Sequence, residues 1–421
     1  MHKSCFITAI TLAFAAPAFA AGPDSSSRPT ERSQTVLASA SQTRAATNAG
    51  LRDWVTEFRP RAMAAGITPA VFDAALNGVS YDADVIKRDR NQAEFTKTIW
   101  DYLDTAVSDL RIANGRGALA TWDDTLTKVE ATYGVEKEVI VAIWGLESAY
   151  GTFRGGSLVI NSLATLAYDA RRAEFFEGEL LDALKILQAR DTTSANLKGS
   201  WAGAMGHTQF MPSSFQAHAV DFDGDGRRNI WGDDPRDALA STGAYLKHFG
   251  WIKGQPWGVE VQLPEGFDYL LADREVVKLP SVWAAMGVVD TQGDAVPDHG
   301  QASVLLPGGA RGAAFMIFDN FEVLEKYNTA DAYVVGVGHL SDRIKGGAAI
   351  KQDWPRDLRA LSKPERIELQ ERLTAAGFDT VKIDAKMGPL TINAVRRFQV
   401  SQGMLADGYP SLQLLAKLRE L

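Results

Sequence analysis

The sequence predicts a mainly α fold with one small β-containing insertion and a separate three-helix unit at its C-terminal end. Three observations carry this: apolar residues recur at helical spacing along most of the chain, the texture changes between about 252 and 315, and Pro, Gly and Ser punctuate the last sixty residues into three short helices. The first periodic helix begins near Leu51, where Trp54, Val55 and Phe58 share a face. Thr68-Pro69 is an N-cap and first-turn pair that opens a helix through Val71, Phe72 and Leu76. A further helix carries Phe95, Trp100, Tyr102 and Leu103, and a helical pattern from Trp122 to Ala149 is divided at Tyr133-Gly134. In the insertion, Val259-Glu260-Val261-Gln262-Leu263 alternates as a strand does. Helix returns over Asn320 to Lys326 and Ala332 to Ile344. Ser362-Lys363-Pro364-Glu365 reads as a capping box; Gly377 ends that helix, Pro389 opens the next and Pro410 the last.

These features divide the chain into a signal peptide (1–20), a flexible leader (21–48), a main domain (49–345), a linker (346–360) and a C-terminal module (361–421). Lys3, the apolar run 6–16 and Ala18-Phe19-Ala20 have the order of a cleaved export signal, and the run is too short to span a bilayer. The single cysteine, Cys5, falls within it, so the mature chain has no disulfide framework. The expectation is a soluble periplasmic protein with no integral membrane segment. A formal charge of −8 excludes the basic face that nucleic-acid binding requires, and ligands are then held by shape, stacking and hydrogen bonds.

Chemistry centres on Glu147. Val135, Val139, Ala142, Ile143 and Leu146 form an apolar stripe, and Glu147, four residues after Ile143, lies on or beside it. Desolvation disfavours the charged form of a carboxylate, and the proton it then retains can be delivered to a glycosidic oxygen. The same spacing also fits a solvated glutamate near a helix end or one paired with a core arginine.

Glu147-Ser148-Ala149-Tyr150-Gly151, the block 199–206, Gln209-Phe210-Met211-Pro212-Ser213-Ser214-Phe215, the block 219–226, Tyr245-Leu246-Lys247 and Asn320-Phe321 with Tyr327-Asn328 resemble the lytic murein transglycosylase B family, in order and spacing, over residues 50 to 345. The resemblance implies a lysozyme-like helical fold that cleaves the β-1,4 bond between N-acetylmuramic acid and N-acetylglucosamine in peptidoglycan strands. No water is added: Glu147 acts first as acid and then as base, the muramoyl C6 hydroxyl closes a 1,6-anhydro ring, and no cofactor is required for the chemistry. Ser200, Gln209, Tyr245 and Tyr327 match cleft-lining positions, and Tyr102 joins them on helix pattern alone. His207 stands where some relatives carry an aromatic residue. No second acid lies between Ser200 and Phe215, though Asp169 or Glu174 could approach through the fold.

Asp221, Asp223 and Asp225 with Gly226 match the opening of an EF-hand loop, and the carbonyl of Arg227 would follow as the next ligand. Gly232 stands where the usual bidentate glutamate belongs. The resemblance implies Asp237 as the later ligand, with Asp233 and Asp234 competing, for a structural Ca2+. The segment 384–399 resembles the three-helix peptidoglycan-binding domain, implying a wall anchor. A hydrolytic muramidase and a non-catalytic wall-binding scaffold are the competing functions.

Overall fold

The computed structural model describes residues 47–90 and 97–421. The export signal, the leader up to residue 46 and Phe95 lie outside the described residues. The first helix, Asn48–Ala64, starts at Thr47, whose hydroxyl accepts from Gly50 N, and it buries Leu51, Trp54, Phe58 and Ala62. Thr68 caps Pro69–Leu76 in the same way, and Gly134, at φ 69°, ends Asp123–Tyr133. The left-handed conformation there suits glycine, because a Cβ would crowd the backbone.

At the centre lies the helix Lys137–Ser148. It packs against Asp331–Lys345, Asp109–Thr121, Arg236–His248 and Asp123–Tyr133. Every residue from Val139 to Ser148 is buried, so beyond its first two residues the helix has no wet face. The apolar stripe is thus narrower than the buried surface, because neighbours close on the helix from several sides.

Two antiparallel sheets interrupt the helices. Strands β1 (Ser157–Leu158) and β2 (Lys198–Gly199) form a short ribbon with Ser157 opposite Gly199. Gly155 adjoins it at φ +85°, and a Cβ there would stand 2.2 Å from the Gly199 carbonyl oxygen, so only glycine lets the two backbones approach. Strands β3 (Gly258–Gln262), β4 (Val289–Asp290), β5 (Ser303–Leu305) and β6 (Ala314–Ile317) form the second sheet in the order β4-β3-β6-β5. It covers its own core of Val261, Trp283, Val304, Met316 and Phe318.

A third core, including Leu369, Leu373, Val395, Phe398 and Leu415, holds the C-terminal helices Lys363–Ala375, Pro389–Ser401 and Leu412–Arg419. The Ser362–Glu365 capping box is formed in both directions. Pro410 does not open the last helix. Ser411 is its cap, accepting from Leu414 N, because a hydroxyl satisfies a free helix N–H and a proline ring cannot. Tyr409 stacks on Trp100 with centroids 6.5 Å apart, and Asp407 accepts from Ala310 N at 3.0 Å. The C-terminal helices are thereby seated on the main domain. Among the described residues no helix is long and apolar enough to cross a membrane.

Candidate active site

Glu147 sits in the last turn of the central helix and is 2% exposed. Tyr333, on Asp331–Lys345, donates its phenolic proton to Glu147 Oε1 at 2.6 Å. Burial, and then the nearby Glu147 charge, hold the Tyr333 and Tyr327 phenols well above their ordinary value, so both remain donors. Tyr327 gives its proton to the Thr208 carbonyl at 2.6 Å, and its ring stacks on Tyr333 at 6.5 Å. Tyr333 escaped the sequence reading. The available signal was a lone phenol in an apolar helical run, since a buried tyrosine hydroxyl needs a partner.

The chain turns sharply beyond Glu147. Ala149, Tyr150 and Gly151 all have positive φ, at 48°, 58° and 83°. For the two L-residues this conformation costs about 1–2 kcal/mol each. Offsetting contacts hold the turn: Ser148 Oγ donates to the His207 carbonyl at 2.5 Å and accepts from Gly151 N at 2.9 Å, while Tyr150 Oη donates to the Arg111 carbonyl at 2.7 Å.

His207 is 3% exposed and lies beneath Gly151. Its Nδ1 accepts from Trp144 Nε1 at 3.1 Å and its Nε2 donates to the Gly232 carbonyl at 2.7 Å, which assigns the neutral tautomer. Burial pushes the imidazole down to about 4, outweighing the Gly232 hydrogen bond. His207 therefore ties the central helix to the 229–234 loop instead of presenting a face to a sugar.

The other expected contacts separate into two groups. Gln209, at φ 53°, donates to the Arg154 and Gly206 carbonyls, which leaves Oε1 buried without a partner. Tyr102 is half-buried, beside Gly336 on the Tyr333 helix. Ser200 accepts at its hydroxyl oxygen from Ala202 N and Ala204 N. Tyr245 is 2% exposed among Phe210, Tyr327 and Phe249, with its hydroxyl on the Lys326 carbonyl. Tyr245 thus gives its hydroxyl proton to a backbone carbonyl, whereas Ser200, which only accepts in these bonds, keeps its hydroxyl proton. Asp169 pairs with Arg90 at 2.8 Å and Glu174 is exposed.

The carboxylates of Asp221, Asp223 and Asp225 come together, with oxygens within 4.8 Å of one another. Asp237 does not join that group. It is buried beneath the loop and accepts from Phe222 N, Asp223 N and Asn229 N, so its oxygens satisfy backbone donors. Asp233 pairs with Arg154, and Asp234 with Arg236. Arg227 is exposed, its N–H bonded to Asp225 Oδ1.

A buried acid ends the central helix with a phenol donating to one of its oxygens, in a mainly helical fold of lysozyme-like architecture. Residues 50–342 match the transglycosylase SLT domain and residues 362–418 a peptidoglycan binding domain. The chain belongs to the transglycosylase SLT family of lytic transglycosylases. It is 36% identical over 240 residues to the membrane-bound lytic murein transglycosylase B of Escherichia coli K12, covering 55% of this chain and 63% of the relative's length. The structure of Pseudomonas aeruginosa SltB3 in complex with NAG-anhNAM-pentapeptide is similar at 48% identity, with a TM-score of 0.85 over 88% of this chain and 99% of that one. Escherichia coli Slt35 in complex with calcium is similar at 30% identity and a TM-score of 0.60, over 71% of this chain and 93% of that one.

Proposed function

We propose that this chain is a lytic murein transglycosylase of the periplasm, exported by residues 1–20, with Glu147 as its catalytic acid and base. One observation carries the assignment: a glutamate buried on the central helix has a phenolic donor fixed at 2.6 Å on one oxygen. Glu147 passes its proton to the glycosidic oxygen as the bond from muramoyl C1 breaks. The resulting carboxylate then takes the proton of the muramoyl C6 hydroxyl, whose oxygen bonds to C1 and closes the 1,6-anhydro ring. The muramoyl acetamido group supports C1 from the opposite face, in place of a second carboxylate. No water enters the balance. Tyr333 positions the carboxyl in both states, and the unpartnered Gln209 Oε1 is an acceptor suited to an acetamido N–H. Tyr102 lies beside Gly336 on the Tyr333 helix, and the buried Ser200, Tyr245 and Tyr327 support the site by packing and backbone hydrogen bonds. Residues 49–345 carry the cleavage, and residues 361–421, beyond the 346–360 linker, hold the wall.

The mature protein incubated with purified sacculi should release anhydromuramoyl ends, read by mass spectrometry. Reducing ends would make it a hydrolase, and intact sacculi a binding scaffold. Tyr333→Phe should lower kcat about tenfold or more at nearly constant KM, since a hydrogen bond to a charged group contributes about 1.5–3 kcal/mol. A rise in KM at constant kcat would instead assign Tyr333 to ground-state binding.

The acidic loop suits a structural Ca2+, because Asp221, Asp223 and Asp225 converge hard oxygen donors and the Arg227 carbonyl is next in the ligand order. Asp237 serves it by fixing the loop backbone. Calcium at about a hundred times its Kd should stabilise the fold by about 2.7 kcal/mol, seen as a higher Tm that a chelator reverses. An unchanged Tm counts against the site.

A further inference from the structure

One short helix links the C-terminal module to the Glu147 network. This helix, Ile99–Ala106, packs against Asp331–Lys345, which carries Tyr333. Trp100 on it is 2% exposed, with Tyr409 of the module stacked at 6.5 Å and Trp354 of the linker at 6.2 Å. Both terminal guanidinium nitrogens of Arg356, also in the linker, reach Asp104 on the same helix at 2.8 Å. Tyr102, between Trp100 and Asp104, lies so close to the Tyr333 helix that a Cβ at Gly336 would stand 2.9 Å from its ring. Gly336 is about one turn beyond Tyr333, whose phenol donates to Glu147. Tyr409 takes no part in the module's own core; it packs on the main-domain core, as Ile350, Trp354 and Leu358 do. The seat fits closely: at Gly309, φ +66°, a Cβ would stand 2.6 Å from Asp407 Oδ2 and 2.7 Å from Tyr409 Cβ. A wall anchor needs only a linker of suitable length. Linker and module side chains packed on the main core forgo that reach, and close-packed interiors transmit displacement because they leave little void to absorb it. The contact therefore does more than keep the module nearby.

We propose that the module braces the active site: Tyr409, acting through Trp100 and Tyr102, holds the Tyr333 helix where its phenol meets Glu147. Tyr409 is then a positioning residue, and this rests on the reading of Glu147 as the catalytic acid and base. Tyr409→Asp puts a carboxylate against Trp100 and beside Asp407 and Asp101, where lost hydration and like charge push the module off its seat. Tyr409→Phe keeps the ring. In the full mature chain acting on soluble glycan strands at saturation, Tyr409→Asp should lose about fivefold or more in kcat, the scale of one aromatic pair, and Tyr409→Phe should restore it. Mere loss of an anchor would raise KM and leave kcat alone. Amide hydrogen exchange should quicken over 99–106 and 331–345 in Tyr409→Asp and keep its wild-type rate in Tyr409→Phe. Arg356→Glu, an exposed change outside the module that sets like charges against Asp104, should quicken the same amides to a smaller extent. A kcat within about twofold of wild type in Tyr409→Asp, or unchanged exchange over 331–345 in both charged variants, overturns the proposal. Wild type releasing no anhydro ends would sink the catalytic reading instead, and exchange over the two helices would still decide the brace.

Discussion

Glu147→Gln is expected to lower turnover about 10,000-fold, the upper end for a single general acid–base, because one group performs both proton transfers. Glutamine keeps the shape, and its amide oxygen still accepts from Tyr333, so the buried helix loses no packing and leaves no phenol stranded. The amide cannot donate an acidic proton to the leaving oxygen or accept one from the C6 hydroxyl. Circular dichroism and Tm should match wild type, and sedimentation with sacculi should still capture the protein through the cleft and residues 361–421. Turnover above about 1% of wild type would show that another group shares the proton work, and Asp169 and Glu174 would return to consideration. Asp169 is ion-paired with Arg90 and Glu174 is exposed to solvent.

Acidification should destabilise the protein steeply between pH 6.5 and about 4. Burial pushes both His207 and His339 from 6.5 down to about 4. In the unfolded chain each imidazole takes a proton near 6.5, whereas in the fold it stays neutral until about 4. The unfolded state then binds more protons, and stability is lost as pH falls through this window. At about 1.4 kcal/mol per pH unit, each histidine accounts for about 3 kcal/mol, a large share of a domain's ~5–15 kcal/mol. Asp342 opposes this: burial lifts its carboxyl from 3.8 to about 6, so its contribution grows as pH falls through that range. His218, pushed down to about 4 by burial and then by His248, adds to the loss, while Glu179, Asp237 and Glu325, all raised by burial, act with Asp342 against it. Urea titrations at pH 7 and 4.5 should show the loss, and His207→Gln should reduce the difference while lowering stability at pH 7. An unchanged pH slope in that variant would mean His207 is not a neutral linker between Trp144 and Gly232.

Features encoded within a few residues were legible before folding. The Ser362–Glu365 capping box, the Thr68-Pro69 start, the Gly134 stop and the alternating strand around Val259 all appear in the structure, because each depends on contacts within a turn or two. Pro410 was misread because proline and a capping serine both mark a helix start, and only the observed Ser411 to Leu414 bond separates them. The acidic loop was readable in Asp221, Asp223 and Asp225, whereas Asp237 turned out to hold the loop from below. Its burial comes from a helix that packs under that loop.

Local periodicity and motif order were enough to place a glutamate at the end of one helix of a mainly helical fold and an acidic loop farther on. The tertiary structure alone decided what surrounds that glutamate. Its hydrogen-bond donor, Tyr333, lies 186 residues away, and His207 bonds Trp144 on the same helix from 63 residues away. Periodicity says which face of a helix turns inward. Desolvation, a fixed proton donor and a neutral imidazole arise only where surfaces distant in sequence meet and exclude water, and no local pattern records that meeting.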